Sequence, residues 1–142
     1  MSVAKAAVRT YASLKTGESA SLKRTITAKD VDAFAELSGD HNPLHVEPEY
    51  AKETQFKRVV VHGMFLGALV SQLVGMNMPG AYSLLMKETL EFKKPVFIDD
   101  TVAVVGTIVH KSPAARLVEI SIEISRKSEV IASCTVHVRL LQ

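Results

Sequence analysis

The sequence predicts an α+β domain, an antiparallel sheet laid around one buried helix. Three observations carry that expectation. Successive runs after Gly80 alternate apolar and polar residues with a period of two, as half-buried strands do. The stretch from Gly63 to Met78 is apolar on nearly every side, which reads as a helix buried all round. Both lie within 142 residues, one domain large enough to hold a core without staples.

Composition narrows the function classes. Apolar residues make up 47% and charged residues 23%, the balance of a globular chain and not of a disordered one. Seventeen basic residues against 15 acids leave a net charge of +2, with no block rich in Lys or Arg, so no electrostatic footprint for nucleic acid exists. Three Tyr, five Phe and no Trp provide no aromatic platform for RNA. The single Cys134 excludes an internal disulfide framework and a multi-cysteine zinc site, and it fits a reducing compartment. The uninterrupted apolar part of the central stretch, Gly63 to Val70, is far shorter than the ~20 residues of a membrane-spanning helix.

Taken in order, the chain opens with a stretch unlike the rest. Met1 to Gly17 holds Lys5, Arg9 and Lys15 with several hydroxyl residues, and no acid precedes Glu18. That is the composition of an organelle transit peptide, and Arg9-Thr10-Tyr11-Ala12-Ser13 resembles a mitochondrial processing pattern. The alternative is a short disordered extension of a cytosolic protein. Either way, residues 1–15 stand apart from a domain over 16–142.

Glu18 to Ile26 alternates weakly and ends at Thr27, a helix N-cap type. Thr27 to Asp30 forms a capping box, Val31, Phe34, Ala35 and Leu37 follow at helical spacing, and Gly39 stops that helix. Gly39 to Pro43 is built from turn formers, and Pro48 opens a short helix to Thr54. The central helix starts at Gly63 and ends at Pro79-Gly80. Four strands follow, over Ala81–Phe92, Thr101–Val109, Leu117–Ser125 and Val130–Leu140, each closely spaced enough to pair antiparallel with the next.

Titratable groups concentrate in Ser38-Gly39-Asp40-His41-Asn42-Pro43-Leu44-His45. A carboxylate and an imidazole five residues apart across a Pro-containing turn are able to polarise one water. The plain alternative is a turn in which Asp40 and Asn42 bond their own backbone. His41 and His45 have the four-residue spacing of a metal pair, which works on a helix that Pro43 interrupts, so no metal is expected. A second feature is Val61-His62-Gly63-Met64 at the head of the central helix. Its free N–H groups suit an oxyanion; otherwise it is an ordinary helix start with His62 as a makeshift cap. Ser71 shares a helix face with Gly67 and Gly75, whose plain reading is close packing, and His110 and His137 read as background.

The segment Ala35 to His45 resembles the signature Gly-Asp-x-Asn-Pro-aliphatic-His of the (R)-specific enoyl-CoA hydratases, the MaoC-like dehydratase family. Val61-His62-Gly63-Met64 with Pro79-Gly80, and Leu90 to Val96, match further blocks in family order. The likeness spans about residues 16 to 142. It implies a hot-dog fold, a homodimer, and a site needing neither metal nor redox cofactor. Asp40 and His45 match the pair that activates water, and Gly63 the N–H donor to the thioester carbonyl. Asn42 matches the residue holding the catalytic loop, and Ser71 a hydroxyl supporting the carboxylate. The implied substrate is an enoyl or 3-hydroxyacyl thioester of CoA or acyl carrier protein. A mitochondrial leader points to a matrix dehydratase of fatty acid synthesis. Without one, a cytoplasmic bacterial hydratase feeding polyester synthesis is the analogue. A hot-dog thioesterase is the competing enzyme, against which the Asp-x-Asn-Pro-x-His pattern argues.

Overall fold

The computed structural model describes residues 2–142. Its elements are β1 (Ser19–Thr25), α1 (Ala28–Ser38), α2 (Pro43–Val46), α3 (Pro48–Glu53), α4 (Gly63–Gln72), then β2 (Ser83–Phe92), β3 (Thr101–Ser112), β4 (Leu117–Arg126) and β5 (Glu129–Leu140). The five strands form one antiparallel sheet in the order β1-β3-β4-β5-β2. The apolar alternation decides its inner face. Val102, Val104 and Ile108 of β3, Val118 to Ile124 of β4 and Cys134 to Leu140 of β5 turn the same way and bury against Phe65, Leu66, Leu69 and Val70 of α4. A sheet curled on a central helix is the hot-dog arrangement.

α1 forms where its caps dictate. Thr27 Oγ1 accepts the Asp30 N–H at 3.1 Å while Asp30 Oδ2 accepts the Thr27 N–H at 3.0 Å. Arg24, 2.6 Å from Asp30, and the Thr27 N–H hold the Asp30 carboxyl below its ordinary range. The helix ends at Gly39, whose φ of 74° is the left-handed conformation glycine adopts without strain.

The structure departs from the sequence expectations in four places. The regular part of the central helix ends at Gln72 and continues as a π-helical turn over Leu73–Asn77. That helix is not buried all round: Met64 is 56% exposed, and Ala68, Ser71 and Gln72 share its open face, because the sheet wraps only the opposite side. β2 pairs with β5 and not with β3, and the connection after Phe92 passes the segment before α4, where the Val61 N–H donates to Val96 O at 2.8 Å. The N-terminal stretch is packed and not loose. Ala7 donates to Met76 O at 2.9 Å and accepts from Ala81 N–H at 2.8 Å, while Leu14 is 1% exposed within the core. A domain boundary at residue 16 therefore falls inside packed structure. Among the described residues no helix is long and apolar enough to cross a membrane.

Candidate active site

The C-terminal glycine of α1 delivers the chain to Asp40, and the turn that follows is made by short polar side chains. Asp40 Oδ1 accepts the Asn42 N–H at 3.1 Å. Asn42 Oδ1 in turn accepts the Leu44 N–H at 3.0 Å, capping α2 with Pro43 at its first position. The segment is thus an own-backbone turn, and that turn brings polar atoms of Asp40 and His45 within 4.8 Å of each other.

His45 is fixed by its partner. Its Nδ1 lies 2.6 Å from the Val60 carbonyl oxygen. A carbonyl only accepts, so Nδ1 carries the hydrogen, and the neutral ring keeps its lone pair on Nε2. The Val60 N–H donates back to Leu44 O at 3.2 Å, tying α2 to the strand-like segment before α4.

His62 is the residue that sequence reasoning mis-assigned. It makes no side-chain capping bond to α4. Instead its Nε2 lies 2.9 Å from the Asp40 carbonyl oxygen, and its ring stacks on that of His45 with centroids 4.0 Å apart. The only signal in the chain was its place beside Gly63; its role comes from contacts 22 residues away, which no local pattern carries.

Asp40, His45 and His62 each offer one polar atom, all within 4.8 Å of one another. One nitrogen of each ring is committed to a carbonyl, and the rings lie face to face with an interplanar angle of 29°. His41 stands apart from His45, 3.6 Å from Glu36 on the surface.

Beside the trio opens a pocket of about 340 Å³, lined by His45, Val61, Gly63, Leu66, Phe92 and Val96, with Lys93 and Lys94 as its charged members. Gly63 is the first residue of α4, so its N–H has no acceptor within the helix. A Cβ at Gly63 would stand 3.1 Å from the Phe92 ring, so glycine keeps that donor approachable. A larger depression of about 720 Å³ at the opposite end of β2, beside Met86, Arg116 and Arg139, holds none of these residues.

Of the residues singled out in the sequence, Asp40, Asn42, His45 and Gly63 come together. Ser71 does not. It lies eight residues along α4, ~12 Å from Gly63 at 1.5 Å per residue, exposed and without a hydrogen bond to Asp40 among the described residues. Support of the carboxylate by Ser71 is thus not supplied within one chain. His137 pairs with Glu119 at 3.2 Å, a contact between neighbouring strands away from the site. Burial, with the Glu88 charge, pushes the Cys134 thiol up to about 12, which leaves no thiolate for nucleophilic chemistry.

The MaoC-like domain family matches residues 9–129. The chain belongs to that family. It is 47% identical over 90 residues to the (R)-specific enoyl-CoA hydratase of Aeromonas caviae, covering 63% of this chain and 67% of that one. The solved structure of an (R)-hydratase from A. caviae superposes with a TM-score of 0.87 at 35% identity, covering 90% of this chain and 98% of the other. The Rhodospirillum rubrum (R)-specific enoyl-CoA hydratase is 39% identical over 108 residues, 76% of this chain and 75% of that one. A mitochondrial 3-hydroxyacyl-[acyl-carrier-protein] dehydratase of Arabidopsis thaliana is 35% identical over 89 residues, and this chain spans 52% of its length. The MaoC-like chain described here is an enzyme of the hydro-lyase class.

Proposed function

We propose that this MaoC-like chain hydrates trans-2-enoyl thioesters to (R)-3-hydroxyacyl thioesters and catalyses the reverse dehydration. The observation that carries the reading is the free Nε2 of His45, locked by the Nδ1 contact to Val60, beside Asp40 and an apolar pocket that ends at the Gly63 N–H. Conjugation to the thioester carbonyl makes C3 of the substrate electrophilic. Asp40 and His45 hold one water against C3; as its oxygen bonds there, one of its protons passes to the pair and a proton is delivered to C2. Negative charge collects meanwhile on the thioester oxygen. The Gly63 N–H and the positive end of α4 face that charge. Asn42 holds the loop that carries Asp40. The acyl part occupies the apolar pocket, and Lys93 and Lys94 stand where the phosphates of a CoA or carrier arm would pass.

The test is hydration of crotonyl-CoA followed by loss of the enoyl absorbance, with chiral analysis of the product. The expected result is (R)-3-hydroxybutyryl-CoA. Release of free CoA with the enoyl band intact would replace the hydratase reading with a thioesterase.

In a eukaryotic source we further propose a mitochondrial matrix setting and a place in fatty acid synthesis, supported by the basic, acid-free start of the chain and the likeness to the plant enzyme. In a bacterial source the setting is cytoplasmic. Fractionation of the source cells distinguishes them, and a native protein found only outside mitochondria would overturn the matrix proposal.

A further inference from the structure

We propose that His62 is a positioning residue that holds Asp40 and His45 in one working geometry, a role that rests on the hydratase reading above. His62 is 2% exposed, and its Nδ1 is buried without a hydrogen-bond partner. The carbonyl of Asp40 accepts from Nε2, so the hydrogen sits on Nε2 and the neutral ring leaves an acceptor unpaired at Nδ1. An unpaired buried acceptor is destabilising. A leucine here would avoid that cost but leave the Asp40 carbonyl without its donor and His45 without its stacked ring, so the imidazole is kept for these two contacts.

What the ring does instead is touch both reacting side chains' supports. Through Nε2 it grips the backbone of Asp40, on which the direction of the carboxylate depends. Through its face it stacks on His45 at 4.0 Å, while Phe34 of α1 backs it at 5.0 Å. His45 has one hydrogen bond, to Val60, and a single bond leaves the ring free to rock about it. The stack removes that freedom. One buried side chain thereby sets the spacing between a carboxylate and an imidazole that come from different sides of the turn, and its next residue is Gly63, so the oxyanion donor is placed by the same segment.

Three variants separate the contacts. His62→Gln keeps an amide donor for the Asp40 carbonyl and loses the ring, His62→Phe keeps a ring and loses the donor, and His62→Leu loses both. Misplacement of reacting groups by about 1 Å costs up to ~100-fold in rate. The expected result with crotonyl-CoA is a kcat loss of ~10–100-fold in His62→Leu, KM within about threefold, and partial recovery in Gln and Phe. A side chain that merely fills space would lower the melting temperature and leave kcat, measured well below melting, unchanged. Proton NMR supplies a second readout: the ring-current shift that the stacked His62 gives the His45 ring protons in the native protein is lost in His62→Leu and His62→Gln. If His62→Leu does not fold, the Gln and Phe variants decide by the same criteria. Variants that keep kcat within twofold, or lose efficiency through KM alone, overturn the proposal. An inactive native enzyme would instead overturn the hydratase reading, which keeps the two failures apart.

Discussion

At the scale of single residues, the proposed hydration makes Asp40 and His45 act as a unit, and their mutants test that. Asp40→Asn and His45→Gln are each expected to remove at least ~100-fold in kcat, the low end of general acid–base assistance, with circular dichroism unchanged. In the proposed mechanism both groups act on one water, so the double variant should be scarcely worse than either single one. A folded single variant with near-native turnover would show that the pair is not the machinery. Glu88 offers a test of a different kind. It points inward from β2 toward Gly67, with Oε1 buried and unpaired, and burial pushes its carboxyl up from 4.5. A raised acid favours the folded state only while protonated, and that advantage is lost as pH rises from the unfolded value through the folded one. Glu88→Gln should therefore stabilise the protein at pH 7 by roughly 1 kcal/mol, a few degrees in Tm, and lose that gain below about pH 4. A pH-independent effect in thermal melts would disprove it. Asp40, Asn42, His45 and Gly63 were legible because a short motif and a helix start carry them. His62 was not, since its partners are brought in by tertiary packing alone.

At the scale of elements, local chemistry made most of the fold readable. The capping box at Thr27 and the left-handed Gly39 bound α1 where the sequence places them, and alternation located the four strands after Gly80 to within a few residues, while the weaker alternation before Thr27 did not by itself declare β1. Partner choice was not readable: nothing in β2 itself says that it skips β3 for β5, because alternation marks which face of a strand is buried and not which strand lies beside it. The N-terminal stretch shows the limit of composition as a guide. Its composition suggests a loose stretch, yet it is stitched to the fold by Ala7, which bonds Met76 and Ala81, and by Tyr11, whose N–H donates to Gln142 O at 3.0 Å. Arg9 adds an ion pair to Glu18 at 3.0 Å. At ~0.5–1.5 kcal/mol per net hydrogen bond, a chain beginning at Ala12 should lose about 2 kcal/mol and melt several degrees lower. Calorimetry on the two forms checks this, and equal melting temperatures would mean that the segment contributes nothing to the fold.

At the scale of the whole molecule, the sheet has two edges and they differ. β1 carries Lys23 and Arg24 along its length, the charged residues that discourage strand pairing. β2 exposes Leu84, Met86 and Phe92, each between 46% and 55% exposed, and beside it α4 leaves Met64 bare. An apolar edge next to an apolar helix face is a surface that a second copy of the same chain covers by continuing the sheet across a two-fold axis. We propose that homodimer, joined through β2. It also places the open face of α4, Ser71 included, against the partner, where a hydroxyl with no role inside one chain meets new groups. Light scattering at micromolar concentration should give twice the mass of the chain. Leu84→Lys combined with Met86→Lys should give a folded monomer, because two ammonium groups at the seam oppose their symmetry mates. A native protein that scatters as a monomer, or a double variant that remains dimeric, would place the interface elsewhere or remove it.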